Sequence, residues 1–251
     1  MIVIKLGGHA MSEGSNWAEP IAARWASQGA LVIVHGGGPQ INKALTANGL
    51  ESNFIEGLRV TSESGMKIVE ATLTGQVLRS VVTDLVAQGI PAVGISGRDG
   101  GVIRANFKDK AKFGFVGEVV KVDTKLLTTL LDAGFLPVVS PVGVTENGEA
   151  LNVNGDTAAG AIAGALCADE IIYLTDVAGI YREWPNPESL MSEITLAELS
   201  KMEFEGGMAP KVAAVTKAIE SGAKAARVID GREAASLRSA LAQSGGTLVR
   251  K

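Results

Sequence analysis

The chain has 251 residues, 46% of them hydrophobic, which is enough to bury the core of one large α/β domain or two joined lobes. Its net charge of −4 excludes the excess of cations that is typical of nucleic-acid binding, and its single cysteine, Cys167, excludes an internal disulfide framework. No secretory leader pattern and no run of 18 apolar residues occur, so the sequence predicts a cytoplasmic protein without a membrane partner.

Six short runs rich in Val, Ile and Leu are apolar on both faces, which predicts interior strands of a parallel sheet that helices cover on each side. In chain order they are Ile2–Leu6, Leu31–His35, Ala92–Ser96, Leu136–Ser140 and residues 171–175 and 226–229.

Helical patterns separate these runs. In the first of them, Trp17, Ile21 and Trp25 recur every four residues and form an apolar stripe. Asn16 and Glu19 have the spacing of a capping box at its start, and a glycine follows its end. Further helices are predicted at residues 63–88, 125–132 and 156–167.

Two stretches interrupt this alternation, residues 102–122 and 150–153, and both have the apolar runs and turn residues of β-hairpins. The whole pattern predicts an α/β fold, a three-layer αβα sandwich with a central mostly parallel sheet and β-hairpin insertions. We expect two lobes within it, residues 1–168 and residues 169–251.

Two glycine-rich turns directly follow predicted strands, Lys5-Leu6-Gly7-Gly8 and His35-Gly36-Gly37-Gly38. Such turns let backbone N–H groups approach an anion, and in a parallel sheet both lie at the carboxyl edge, where ligands bind. The alternative is that these glycines only make tight turns between strand and helix. Neither the Walker P-loop pattern nor the dinucleotide-binding pattern is present, so an anion here would require different phosphate chemistry.

Two later segments bring polar groups to the starts of helices, Asn152-Val153-Asn154-Gly155-Asp156 and Gly206-Gly207-Met208-Ala209-Pro210-Lys211. Taken singly, Asp156 fits a helix cap and Lys211 a solvated surface residue. Combined with Lys5 and the glycines, they match what phosphoryl transfer requires, because fixed cations and N–H groups stabilise the charged phosphoryl oxygens. No general base stands out, which favours an acceptor that is already ionised at pH 7, such as a carboxylate.

Seven motifs occur in this order along the chain: Ile4-Lys5-Leu6-Gly7-Gly8, Val34-His35-Gly36-Gly37-Gly38-Pro39-Gln40, Gly57-Leu58-Arg59-Val60-Thr61, Gly94-Ile95-Ser96-Gly97-Arg98-Asp99-Gly100, Asn152-Val153-Asn154-Gly155-Asp156, Leu174-Thr175-Asp176-Val177-Ala178-Gly179-Ile180 and Gly206-Gly207-Met208-Ala209-Pro210-Lys211. With them the chain resembles the amino acid kinase family over nearly its whole length, most of all the members that phosphorylate N-acetylglutamate. The resemblance implies ATP-dependent phosphorylation of the γ-carboxylate of N-acetyl-L-glutamate. It also implies that Mg²⁺ is carried on the ATP phosphates, with no protein ligand for the metal.

The same resemblance implies roles for individual residues. Lys5 and Lys211 would stabilise the transferred phosphoryl group, and Asp156 would position both lysines. Arg59 would hold the non-reacting carboxylate of the acceptor. On the phosphoryl path the resemblance implies Gly7 and Gly8, and also Gly37 and Gly38, which would meet the reacting end of the acceptor as well. Asn152 would bind the acylamino end, and Asn154 would also lie in the acceptor site. The nucleotide pocket would be lined by Asp176, Val177, Ala178, Gly179, Ile180, Tyr181, Glu203, Phe204 and Glu205.

Some positions depart from the family pattern, namely His9, the pair Leu78-Arg79, and Ala178. His9 is either a turn residue or an additional contact to phosphate or acceptor. Residues 181–190 look more like those of relatives that phosphorylate aminoadipate or glutamate attached to a small acidic carrier protein, and that activity is the alternative. The motif around Arg59 favours free N-acetylglutamate, because the carrier-linked relatives tend to have serine before the arginine.

Weaker alternatives are a family member acting on carbamate, aspartate, glutamate or a nucleotide, and a nucleotide-binding sensor without turnover. A sensor would require the loss of a lysine such as Lys5 or Lys211, and both are present. By analogy with the family we expect a homodimer. Hexameric, arginine-inhibited relatives carry an extra N-terminal helix before the first strand, whereas here the strand begins at Ile2, so we expect no inhibition by arginine.

Overall fold

The structure is a computed structural model that describes residues 1–8, 11 and 16–251. His9, for which two interpretations are open, lies outside the described residues. The strands within the described residues are β1 Ile2–Leu6, β2 Leu31–His35, β3 Phe54–Ile55, β4 Leu58–Arg59, β5 Ala92–Ser96, β6 Ile103–Phe107, β7 Val116–Val122, β8 Leu136–Ser140, β9 Val142–Val144, β10 Ala150–Val153, β11 Glu170–Thr175, β12 Glu193–Thr195, β13 Ala225–Asp230 and β14 Thr247–Arg250.

The α-helices in the same part of the chain are α1 Ala18–Gln28, α2 Gly38–Ala47, α3 Glu63–Glu70, α4 Leu78–Ala87, α5 Lys110–Phe113, α6 Lys125–Asp132, α7 Gly155–Ala165, α8 Leu196–Leu199, α9 Ala209–Glu220 and α10 Ala234–Leu241. A π-helical stretch, Ala71–Val77, joins α3 to α4, and short 3₁₀ turns occur at Asp99–Gly101 and Pro187–Ser189. None of the helices that the structure describes has the length and apolar character needed to cross a membrane.

The chain divides into two compact units, of which the first comprises Met1–Val32 and Ala159–Lys251. Its strands lie in the order β12-β14-β13-β11-β1. β1, β11 and β13 are parallel, whereas β14 runs antiparallel to β13 and parallel to β12. Helices α9 and α10 pack against β13, and α1 packs against α10. β11 and β13 are buried almost throughout, which is why their sequences are continuous apolar runs.

The second unit comprises Ile33–Ala158. Its parallel strands lie in the order β2-β8-β5, with α4 against β5 and β8, and α6 against β8. The two predicted hairpins are present as the antiparallel pairs β6–β7 and β9–β10, and together they close into a small barrel. A core cluster fixes α2 and α3 against β9; it contains Ile41, Leu45, Met66, Val69, Leu73 and Val142.

The predicted fold class is confirmed, with a mostly parallel central sheet, flanking helices and β-hairpin insertions. Four predicted strands have the observed bounds, and the other two are longer by one or two residues, at Glu170–Thr175 and Ala225–Asp230. The short strands β12 and β14 are missed from the sequence because they have only three and four residues. The division of binding roles between residues 1–168 and 169–251 concerns ligands and stays a prediction.

The start of α1 differs from the prediction, because Asn16 and Glu19 form no capping box. Trp17 is the N-cap residue and makes no side-chain hydrogen bond to the helix. Its side chain is 3% exposed. Burying an indole contributes about 2 kcal/mol or more, which exceeds the ~1 kcal/mol of a typical cap. Glu19 forms an ion pair with Arg238 instead.

Candidate active site

The first glycine turn directly follows β1. A methyl group at Gly7 would come within 2.7 Å of the carbonyl oxygen of Leu174 in β11, so no other residue fits there without displacing backbone. The same point is 3.9 Å from Nζ of Lys5. Gly8 continues the turn. The structure therefore places side-chain-free backbone beside an ammonium group, which suits phosphate oxygens.

Lys211 is the third residue of α9, where Pro210 is tolerated because the first helical turn needs no N–H partner. The Nζ of Lys211 lies 3.0 Å from Oδ1 of Asp176 and 3.2 Å from the carbonyl oxygen of Gly207. The lysine side chain is 18% exposed. The structure thus brings one predicted phosphoryl-binding lysine together with the first residue of the predicted nucleotide loop. The predicted positioning of both lysines by Asp156 stays a prediction.

The predicted nucleotide loop, residues 176–181, is fastened at its far end by a threonine that the sequence reasoning misses. The Ile180 N–H donates to Oγ1 of Thr247 at 2.7 Å, and this hydroxyl hydrogen-bonds in turn to the carbonyl oxygen of Met191. Gly179 is required between them, because a methyl group there would lie 2.4 Å from the same hydroxyl. Thr247 is completely buried in β14. Its position after a Gly-Gly turn and before Leu-Val is the signal that could have revealed it.

Thr247→Val is expected to destabilise the protein by about 1–3 kcal/mol, because it leaves the Ile180 N–H buried without an acceptor. The same change is expected to raise the KM for the nucleotide several-fold, since the loop is no longer fastened. Urea unfolding and steady-state kinetics measure the two effects. Thr247→Ser is the matched control, because it keeps the hydroxyl. Equal losses in both variants would show that the methyl group, and not the hydrogen bond, holds the loop.

Two other predicted nucleotide-binding elements lie in the first unit. Tyr181 ends the loop and packs edge-to-face on Trp184, with ring centroids 5.1 Å apart. Residues 203–205 lie between α8 and α9, shortly before Lys211, with Glu203 and Glu205 exposed. Tyr181, Glu203 and Glu205 therefore lie in the same unit as Asp176.

The second glycine turn lies between β2 and α2. A methyl group at Gly37 would come within 2.8 Å of Leu73 and 3.3 Å of Val77, both in the π-helical stretch. Gly38 is the first residue of α2, and its carbonyl oxygen accepts a hydrogen bond from Nη2 of Arg59 at 3.3 Å. The first turn of a helix presents N–H groups without intrahelical partners, which favours an anion there. The π-helical stretch, which the sequence does not predict, therefore packs directly on this turn.

Arg59 is 7% exposed and sits in the β3–β4 hairpin. Its Nη1 donates to Oδ1 of Asn42 at 2.6 Å and to Oγ of Ser52, and the Phe54 ring lies 4.7 Å from its guanidinium carbon. All these partners are neutral, and no carboxylate among the described residues pairs with Arg59. Burial lowers the pKa of Arg59, which reflects the cost of keeping a cation out of water.

Asn152 is joined to Arg59 through Thr61. Asn152 Nδ2 donates to Thr61 Oγ1 at 3.1 Å, and this hydroxyl donates to the carbonyl oxygen of Arg59 at 2.8 Å. Asn154, which is predicted in the acceptor site, caps α7, because its Oδ1 accepts from the N–H groups of Asp156 and Thr157. Asn154, and not Asp156, is therefore the cap of this helix.

A cavity of about 240 Å³ opens beside Arg59. Leu45, Leu50 and Val69 form an apolar wall, while the polar lining comprises Arg59, Thr61, Asn53, Ser62 and the acidic residue Glu51. The cavity therefore suits a small ligand that has both an anionic and an apolar part.

His35 ends β2 and is completely buried immediately before the second glycine turn. Its Nδ1 lies 2.7 Å from the carbonyl oxygen of Gly36. Burial lowers the pKa of the imidazole to about 4; the bond to Gly36 opposes this shift, and the positive charge of Arg79 adds to it. His35 is therefore neutral at pH 7.

The fold and these two sets of residues define the class of the protein. Each set combines the side-chain-free backbone of a glycine turn with a positively charged side chain. The cations are Lys5 and Lys211 in the first unit and Arg59 in the second. This is the equipment of an α/β phosphotransferase, which acts by placing positive charge and N–H donors around phosphoryl and carboxylate oxygens.

Comparison with known proteins gives the family. The model of the amino acid kinase family matches residues 1–230. An acetylglutamate kinase from Symbiobacterium thermophilum is 40% identical over 246 residues, which are 92% of this chain and 84% of the relative. The acetylglutamate kinase of Methanocaldococcus jannaschii is 42% identical over 250 residues, 92% of this chain and 83% of the relative. The solved structure of smu.665 from Streptococcus mutans UA159 matches with a TM-score of 0.84 at 28% identity, covering 99% of this chain and 98% of that one. The chain belongs to the amino acid kinase family.

Proposed function

We propose that this protein transfers the γ-phosphoryl group of ATP to the γ-carboxylate of N-acetyl-L-glutamate. The products are N-acetyl-L-glutamyl 5-phosphate and ADP, and the reaction is the second step of arginine biosynthesis. Relatives named acetylglutamate kinase, 40% and 42% identical over most of the chain, support this activity over the carrier-linked alternative.

The observation that carries the choice of acceptor is the buried guanidinium of Arg59. N-acetylglutamate has two carboxylates, of which one reacts and the other needs a counter-charge. Arg59 has only neutral partners among the described residues, so a bound carboxylate would offset the cost of its burial and would accept from its planar N–H groups.

The neighbouring groups fit the rest of the acceptor. The amide of Asn152 donates to the Thr61 hydroxyl, which donates to the Arg59 carbonyl, and this proximity supports the assignment of Asn152 to the acylamino group of the acceptor. We assign the second unit to the acceptor and the first to the nucleotide, since the first holds the fastened loop with Asp176. By analogy with the family we propose a homodimer, which sedimentation can test.

The chemistry follows from these assignments. An oxygen of the γ-carboxylate forms a bond to the γ-phosphorus of ATP, the bond from that phosphorus to the β–γ bridging oxygen breaks, and ADP leaves. Lys5, Lys211 and the N–H groups of the first glycine turn would stabilise the charge on the transferred group. The carboxylate is ionised at pH 7, so no residue has to remove a proton. We propose that Mg²⁺ arrives on the ATP phosphates and neutralises part of their charge, and we assign it no protein ligand.

The test is an assay of the purified protein with MgATP and free N-acetylglutamate, in which hydroxylamine traps the acyl phosphate. We expect a stoichiometric hydroxamate and ADP. N-acetylaspartate, shorter by one methylene, is expected to react with a kcat/KM lower by about 10- to 200-fold. The Lys211→Ala protein, prepared identically, controls for contaminating kinases. Absence of hydroxamate with free N-acetylglutamate would overturn the proposal, and reaction only with a carrier-linked acceptor would establish the alternative.

A further inference from the structure

Three buried polar atoms among the described residues have no hydrogen-bond partner. One is Oε1 of Gln40 in α2, and the other two are Nε2 of His35 and Oγ of Ser140, which end neighbouring strands beside the second glycine turn. His35 and Ser140 are completely buried. An unpaired polar atom at such a position costs about 1–3 kcal/mol, so two of them close together call for an explanation.

The hydrogen bond made by Nδ1 of His35 decides which ring nitrogen carries the proton. A carbonyl oxygen only accepts hydrogen bonds, so the 2.7 Å contact with Gly36 requires that Nδ1 carries the proton. In the neutral ring, Nε2 is then a bare acceptor that lacks a donor. The hydroxyl of Ser140 is a donor that lacks an acceptor. The two groups are complementary.

The strand register places these groups side by side. Val34 of β2 is paired with Val139 of β8, and each strand ends one residue later, at His35 and Ser140. Paired residues of parallel neighbours are about 4.8 Å apart and point to the same face. That distance is spanned by a direct hydrogen bond after a rotation of the serine, or by one buried water.

The neighbouring strand β5 shows which face of the sheet these side chains occupy. Ser96 of β5 is paired with Ser140 and points to the same side as Gly94, two residues earlier. A methyl group at Gly94 would meet Arg79 and Val82, so this side lies under α4. The positive charge of Arg79 also acts on the His35 imidazole, which agrees with the same face.

We propose that His35 is a positioning residue for the reaction, held by Ser140 on one side and holding the Gly36 carbonyl on the other. The Gly36 carbonyl and the Gly37 N–H belong to one planar peptide group and point in opposite directions. By fixing the carbonyl, the imidazole fixes the direction of the Gly37 N–H, which is the donor that the glycine turn offers to the reacting end of the acceptor. This inference rests on the proposed function and assigns His35 no contact with substrate.

The first experiment reads the tautomer directly by ¹⁵N NMR of histidine-labelled wild-type protein. The chain has two histidines, and His9→Asn assigns the signals. We expect His35 to show a protonated Nδ1 and an unprotonated Nε2 from pH 6 to pH 8. Ser140→Ala is expected to shift the Nε2 resonance, because its donor is lost. A protonated Nε2, or an Nε2 resonance indifferent to Ser140→Ala, would overturn the proposal.

The second experiment separates positioning from a structural role. Asparagine places its amide N–H₂ near the position of Nδ1, whereas glutamine places its own near Nε2, so His35→Asn keeps a donor for Gly36 and His35→Gln does not. We expect the kcat of His35→Asn to exceed that of His35→Gln by about tenfold or more, with little difference in the KM for ATP. Equal kcat values in the two variants would overturn the proposal. A wild-type protein that fails to phosphorylate N-acetylglutamate would contradict the proposed function, while the NMR experiment would still decide the tautomer.

Discussion

Lys211→Ala is expected to slow phosphoryl transfer by about 10²- to 10³-fold. The lysine lies in the first turn of α9, is largely buried and pairs at 3.0 Å with Asp176 at the edge of the nucleotide loop. We assign its charge to the transferred phosphoryl group, where it would act most in the transition state, so kcat is expected to fall more than the affinity for ATP. Lys5→Ala is expected to have an effect of the same order, since its ammonium group lies beside the first glycine turn.

Single-turnover kinetics with saturating MgATP and N-acetylglutamate measures the chemical step, and nucleotide titration measures affinity separately. Lys217→Ala is the matched control, because Lys217 is an exposed lysine of the same helix. The control is expected to retain the wild-type rate. If Lys211→Ala changed the rate no more than Lys217→Ala did, the assignment of Lys211 to the phosphoryl group would be wrong.

Arg59→Ala is expected to raise the KM for N-acetylglutamate by about 30- to 150-fold, the equivalent of about 2–3 kcal/mol for a charge-assisted interaction. The kcat is expected to change much less, because Arg59 is assigned to the carboxylate that does not react. Arg59→Lys keeps the charge but loses the planar fork, so its KM is expected to lie between those of wild type and Arg59→Ala. Circular dichroism and urea unfolding check that loss of the contacts to Asn42 and Ser52 has not unfolded the hairpin.

An acceptor that lacks the α-carboxylate tests whether Arg59 binds that carboxylate. 4-Acetamidobutanoate keeps the acylamino group and the reacting carboxylate of N-acetylglutamate. The wild-type protein is expected to discriminate against it by about the factor that Arg59→Ala loses, and the Arg59→Ala protein is expected to treat both acceptors alike. If the variant discriminated as strongly as the wild type, the α-carboxylate would be bound by another residue.

Much of the fold can be predicted from the sequence because the interior strands are apolar on both faces. Ile2–Leu6, Leu31–His35 and Leu136–Ser140 have the predicted bounds. Very short strands cannot be found this way. β14 has only four residues, and its pairing with β12 on one side and β13 on the other is decided by tertiary contacts.

The capping prediction at Asn16 and Glu19 is also wrong because a tertiary contact outweighs a local signal. The capping-box spacing is a local signal, and a local hydrogen bond is weaker than the burial of the Trp17 indole. The π-helical stretch Ala71–Val77 is also invisible in the sequence, because residues 63–88 read as one ordinary helix. Two of its side chains, those of Leu73 and Val77, pack on Gly37, and this tertiary contact has no counterpart in the local pattern of residues.

The sequence by itself determined the glycine turns and the lysines of the first unit, because each belongs to a short contiguous motif beside an apolar run that can be recognised without the fold. It also singled out Arg59 by its motif. Only the tertiary structure decided which groups hold these residues in place. Thr247 fastens the predicted nucleotide loop, Thr61 joins Asn152 to Arg59, and His35 and Ser140 end neighbouring strands with unpaired polar atoms. Hydrogen bonds between residues distant in the chain depend on strand register and burial, and no local pattern of residues encodes either.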